Sequence, residues 1–191
     1  MGGLFLWPTS LWGYRQRSLG SQGVAQFSTE LSIMKSCCIT GHRRTGLPQS
    51  RLYQVIETLT DMAKSEGADH FYMGCSWGVD LAAGEVWGLT TDWTAVKPCA
   101  NHGEGVWTQA TLDKRDRIIS QAQEIETLQA TYHPGCLNDR NEWMVDQSEI
   151  VIAIFDGRQH GGTKHCLSYA RRQGKRIIWY DLRDGRFKSV N

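Results

Sequence analysis

Nothing in this chain is apolar for long enough to cross a membrane as a helix. The longest unbroken apolar run, from Ile150 to Phe155, has six residues, against the roughly 20 that a helical span needs. Charge of one sign is not in excess either. Lys and Arg number 21, Asp and Glu 20, and the net charge is +1, so bulk electrostatics draws the chain neither to nucleic acid nor to an anionic bilayer. No Cys-x-x-Cys pair occurs among the six cysteines, which removes the spacing of zinc ribbons and dithiol redox sites. Reduced thiols in a cytoplasmic protein are expected instead. Cys37 and Cys38 are adjacent, so on a strand they face opposite ways. His133 and Cys136 could begin a metal site, but the other ligands it would need are not evident and no metal is expected.

What is present fits one globular domain: 191 residues, 40% hydrophobic and 21% charged. Residues 1–33 stand apart from it. Leu4 to Trp7 is too short for the apolar core of a signal peptide and lacks a basic start. Arg15, Arg17 and the lack of acid before Glu30 leave an amphipathic targeting segment open. Met34-Lys35 directly precedes the first strand pattern, so 1–33 is expected to be a disordered extension and 34–191 the domain.

From Met34 onward strands and helices alternate. Strands are predicted at Ser36–Thr40, His70–Met73, Trp93–Val96, Ile125–Ala130, Ile150–Phe155 and Lys175–Tyr180. Between them, helices are predicted at Gln49–Ser65, after Gly78, at Thr108–Ala122, Leu137–Gln147 and Thr163–Arg172, with the tail from Arg183 on the surface. Leu52, Val55, Ile56, Leu59 and Met62 give the first helix its apolar stripe. The run from Ile150 to Phe155 is rich in β-branched residues, as suits a strand buried on both faces. With no hairpin signals between the strands, the fold class is α/β: a Rossmann-like three-layer sandwich, its mainly parallel sheet covered by helices on both faces.

Such sheets bind ligands at the carboxyl ends of their strands. Three loops arrive there: Gly41 to Arg44, Gly74 to Asp80, and Asp156 to Thr163. The last two run into helices and carry paired glycines, so backbone N–H groups and the positive end of a helix dipole can meet an anion closely. Arg43 and Arg44 add guanidinium groups suited to phosphate. Asp80 has two roles open to it, a contact to a ribose hydroxyl or a cap on its own helix. Cys75 is read as a small residue packed in a tight turn rather than a nucleophile, and Glu85 as an intramolecular partner. Trp77 and Trp107 are candidates for ligand stacking set against a core role. Arg115 and Arg117 are expected on a solvated helix face, and the Arg171 to Arg176 cluster at a helix end.

These residues also carry a resemblance. Ile39-Thr40-Gly41-His42-Arg43, then Gly74-x-x-x-Gly78-Val79-Asp80-Leu81-Ala82-Ala83-x-Glu85, then Asn141-x-Trp143-Met144-Val145-Asp146 and finally Gly161-Gly162-Thr163 resemble the YpsA-like branch of the SLOG superfamily. That superfamily includes the Lonely-guy phosphoribohydrolases and the DprA/SMF proteins. The resemblance spans Lys35 to Tyr180 and implies a Rossmannoid fold with a nucleotide or nucleotide-derived ligand at the glycine loops. Gly41, His42, Arg43, Arg44, Gly74, Gly78, Asp80, Gly161, Gly162 and Thr163 are the expected ligand residues. Lonely-guy enzymes place a catalytic glutamate after the glycine-threonine turn, where this chain has Lys164 and His165. A cation there opposes the oxocarbenium ion of N-glycoside cleavage, so no catalytic residue is assigned. A sensor or carrier of a phosphorylated nucleoside is the expectation, ahead of an N-glycosidase or other nucleotide-processing enzyme and of a DNA-binding module. The expected partner is a small nucleotide, with no membrane and with nucleic acid disfavoured; self-association is left open.

Overall fold

The computed structural model describes residues 35–191. The expectations for 1–33 and for Met34 lie outside the described residues. Seven strands form one sheet in the order β4-β3-β2-β1-β5-β6-β7. They are β1 (Lys35–Gly41), β2 (Ala68–Met73), β3 (Trp93–Lys97), β4 (Glu124–Thr127), β5 (Ile150–Phe155), β6 (Arg176–Asp181) and β7 (Arg186–Val190). The five helices are α1 (Gln49–Ser65), α2 (Val79–Trp87), α3 (Gln109–Ile119), α4 (Cys136–Asp146) and α5 (Gly162–Arg172). All strand pairs are parallel except β6 with β7.

Two apolar layers hold the helices to the sheet, and β5 shows why. Its alternate residues Ile150, Ile152 and Ile154 face one layer with α1 and α2, and Val151 and Ala153 face the other with α4 and α5. Cys37 and Cys38 divide the same way, one to each layer. In α1, Val55, Ile56, Leu59 and Ala63 make the buried stripe.

The tail from Arg183 lies at the surface as expected, and it also holds a strand that the pattern did not show: 186–190 pairs antiparallel with β6, Tyr180 opposite Phe187. A turn through Asp184 and Gly185, Gly185 at φ +69°, folds it back; Asp-Gly is a hairpin signal. At the other edge β4 is four residues long and largely exposed, carrying Glu124 and Glu126, as suits a strand that must not recruit another.

The direction of winding reverses between β1 and β5. From β1 the chain steps outward to β2, β3 and β4, then returns to β5 on β1's other side. Loops leaving the carboxyl ends of β1 and β5 therefore diverge and leave a crevice.

Candidate functional site

His42 follows β1 and Asp156 follows β5, and the two side chains meet across that crevice. His42 Nε2 lies 2.9 Å from Asp156 Oδ1 and 3.3 Å from the Asp156 N–H. A carboxylate only accepts and a backbone N–H only donates, so the two contacts exclude one another on a neutral ring: the shorter one needs the proton on Nε2, the longer one a bare Nε2 with the proton on Nδ1. Burial lowers the His42 pKa, against the pull of Asp156, so the ring is neutral at neutral pH. Arg158 hydrogen-bonds both Asp156 oxygens and holds that carboxyl far below the usual range.

The two glycine-bearing helix starts differ. Gly161 opens α5 with no side-chain cap and no acid in the first turn. His165 is the first N–H to bond back, to Gly161 O at 3.0 Å, so the N–H groups of Gly162 and Thr163 lack intrahelical acceptors. The start of α2 is already occupied. Val79 N–H donates to His42 O, Leu81 N–H to Ser76 O, and Ser76 N–H to the Asp80 carboxylate at 3.1 Å. Asp80 thus closes the turn before its helix and does not cap the helix itself.

Arg140, in α4, comes into this centre although the sequence did not single it out. It is buried, with Nε donating to Asn141 Oδ1 at 3.0 Å and Nη2 to Ser76 Oγ at 3.1 Å. Among the described residues Nη1 has no hydrogen-bond partner; the nearest countercharge, Asp80 Oδ2, stands 3.8 Å away. Burial raises the Asp80 pKa even so, with Arg140 and the Ser76 N–H opposing. A guanidinium kept this dry, its charge facing Asp80 but one nitrogen without an acceptor, is an unsatisfied donor.

A cavity of about 730 Å³ lies over these groups, within the range of small-molecule sites. Among the described residues four arginines (43, 44, 140 and 158) line it against one carboxylate, Asp80. Of the expected ligand residues, the structure gathers Gly41, His42, Arg43, Arg44, Asp80, Gly161, Gly162 and Thr163 on its wall. Gly74 and Gly78 are not on that wall, and packing explains both. A Cβ on Gly74 would overlap the Arg140 guanidinium and come within 2.9 Å of Asp80 Oδ2. Gly78, at φ +98°, lets its turn press on the backbone of His42 and Arg43. Asn138, Asn141 and His160 join the wall as well.

Other candidates resolve as follows. Cys75 is fully buried at φ +60°, and burial pushes its thiol up to about 12, so it stays protonated. Trp77 is 42% exposed at the rim of the cavity. Trp107 packs edge-on against His102 instead and is not on the wall. Arg115 corrects the expectation of a solvated face: it is buried beside Ile118 and Ile119 and donates to His102 O. Glu85 does take intramolecular partners, Tyr53 and Lys114. Among the described residues no cluster of three or more His, Cys, Asp or Glu could hold a metal ion, and no helix is long and apolar enough to cross a membrane.

The winding reversal, with a cavity at the carboxyl ends of β1 and β5, defines a Rossmann-like α/β protein. The chain belongs to the YspA SLOG family, whose model matches residues 37–182. A relative from Bacillus subtilis (strain 168), the uncharacterized SPbeta prophage-derived protein YoqJ, is 32% identical over 73 residues, 35% of this chain and 42% of that protein. Among solved structures, DNA processing protein A from Helicobacter pylori superposes with a TM-score of 0.56 at 20% identity, over 76% of this chain and 64% of that one. DNA processing protein A from Streptococcus pneumoniae gives 0.52 at 17%, over 78% and 50%. The chain thus spans less than two thirds of each of these proteins, and the structural likenesses show a shared fold.

Proposed function

We propose that the cavity binds a phosphorylated nucleoside and that the protein senses or carries it. One observation carries this reading: the buried, under-satisfied Arg140 lines a cavity that also receives the uncapped start of α5. A phosphate there would add a second countercharge beside Arg140 and accept from the free N–H groups of Gly162 and Thr163. Arg43 and Arg44, both exposed and on the same cavity wall, add charge for a doubly ionised group. Family membership fits a nucleotide-related role. A sensor or carrier in the cytoplasm needs no turnover, and the helix position after Thr163 holds Lys164 and His165 rather than an acid.

A second reading, hydrolysis of the bound nucleotide, has one observation in its favour. Asp80 is a carboxyl on the cavity wall with its pKa raised by burial, as an acid near neutrality requires. The two separate in one experiment. A panel of ribonucleotides is incubated with the protein, followed by thermal unfolding and by chromatography. Stabilisation without product supports binding alone; released base or phosphate supports turnover. No stabilisation by any nucleotide would overturn both.

A further inference from the structure

A second cavity of about 300 Å³ opens beside the first and shares Arg43, Arg44 and Trp77 with it. Its floor is apolar, formed by Leu52 of α1 and by Leu81 and Ala82 of α2. Its one carboxylate is already matched. Glu85 Oε2 accepts from Tyr53 at 2.6 Å, and Glu85 Oε1 pairs with Lys114 at 2.9 Å. The Lys114 ammonium also lies 5.8 Å from the Trp77 ring centroid, which holds the indole at the divide between the cavities.

The two lobes differ in kind. The larger has unpaired positive charge, and the smaller, beyond the two shared arginines, is electrically balanced and half apolar. Phosphate suits the first, and a flat uncharged ring suits the second, with an indole at its mouth to stack on. The arginines stand where the lobes join, so a phosphate passing between them meets both guanidinium groups.

We propose that the whole cleft takes a dinucleotide: two nucleosides joined through a diphosphate, one in each lobe, with one phosphate of the bridge at Arg140 and the start of α5 and the other at Arg43 and Arg44. This rests on the reading of the larger cavity as a nucleotide site and adds the ligand's second half. A free dinucleotide is favoured over a longer strand because, beyond the two shared arginines, the second lobe's one cation, Lys114, is already paired with Glu85 and leaves no free positive charge for a further phosphate.

The test is calorimetry with the full chain, using AMP, GMP, CMP and UMP, the matching symmetric dinucleoside diphosphates, and a twelve-residue oligodeoxynucleotide. At least one dinucleotide is expected to bind about tenfold or more tighter than its mononucleotide. Ala82→Phe fills the second lobe and should erase that advantage while mononucleotide binding stays within about twofold. Should that buried change unfold the chain, Gln49→Trp blocks the same lobe from its exposed edge and should act alike. A mononucleotide that binds as well as every dinucleotide overturns this inference and leaves the first-cavity reading standing. So does a dinucleotide advantage that survives both variants, or an oligonucleotide that outcompetes all dinucleotides. If no nucleotide binds, the first-cavity reading falls with it.

Discussion

Arg140 Nη1 stands 3.8 Å from Asp80 Oδ2, inside the range of charge attraction and outside that of a hydrogen bond. Both groups are buried, so each is the other's main compensation inside the protein. Arg140→Met removes the cation and leaves Asp80 alone, a change that typically costs about 3–5 kcal/mol. Asp80→Asn in the same background removes the stranded charge and should recover part of that loss. Urea unfolding of the two single variants and the double measures it; strictly additive losses would show that the pair does not interact.

Gly74→Ala tests how tightly that pair is housed. Its Cβ would occupy the Arg140 guanidinium's place, and a flexible side chain can give way where backbone cannot. The variant should fold, with a loss of about 1–3 kcal/mol, and should bind nucleotide more weakly because Arg140 has moved. A variant with wild-type stability and affinity would mean that Arg140 has a second resting place.

His102 gives the stability a definite acid limb. It is buried, and burial together with Arg140, Arg115, Lys97 and Arg43 pushes its pKa down from 6.5 to about 3. The unfolded chain therefore takes up this proton first as pH falls. The contribution is complete above pH 6.5 and is lost progressively from there toward pH 3. His102→Gln should show a shallower fall of the urea midpoint between pH 6.5 and 4 than the parent; parallel curves would contradict the assignment.

All six cysteines are buried and unpaired. Burial raises the thiols of Cys37, Cys38, Cys75, Cys99 and Cys166 above their ordinary pKa. A thiol reagent at pH 8 should label the native protein slowly and all six sites at once in urea. Rapid labelling of one site in the native state would expose an opening that the fold does not show.

The alternation of strand and helix was legible because its signals are local. The run from Ile150 to Phe155 and the stripe of α1 each declare their period within a few residues. β7 was not, because Arg186 and Lys188 lower its apolar content and its pairing partner β6 supplies the reason for a strand there. The site was legible in its loops, where glycine and arginine gather, and not in α4. Asn138-Asp139-Arg140-Asn141 looks like a solvated face. A usable signal was present all the same: Cys136, Arg140 and Met144 recur at i, i+4 and i+8, and all three are buried. A cation on an apolar stripe marks a buried charge, and Arg115 ahead of Ile118 and Ile119 carries the same mark. What no local pattern holds is the meeting of Arg140 with Ser76 and Asp80, 64 and 60 positions away, which only the closed sheet brings about.

The central claim is that Arg140 and the start of α5 hold a phosphate. Its most direct test is the ratio of dissociation constants for a nucleoside and its 5′-monophosphate, measured by calorimetry on the parent and on Arg140→Lys. Lysine keeps the charge and loses the planar fork. The parent should prefer the monophosphate, and Arg140→Lys should give up roughly 1.5–3 kcal/mol of that preference, about ten- to 150-fold, with nucleoside affinity little changed. A parent that binds both ligands equally, or a lysine variant that keeps the full ratio, would contradict it.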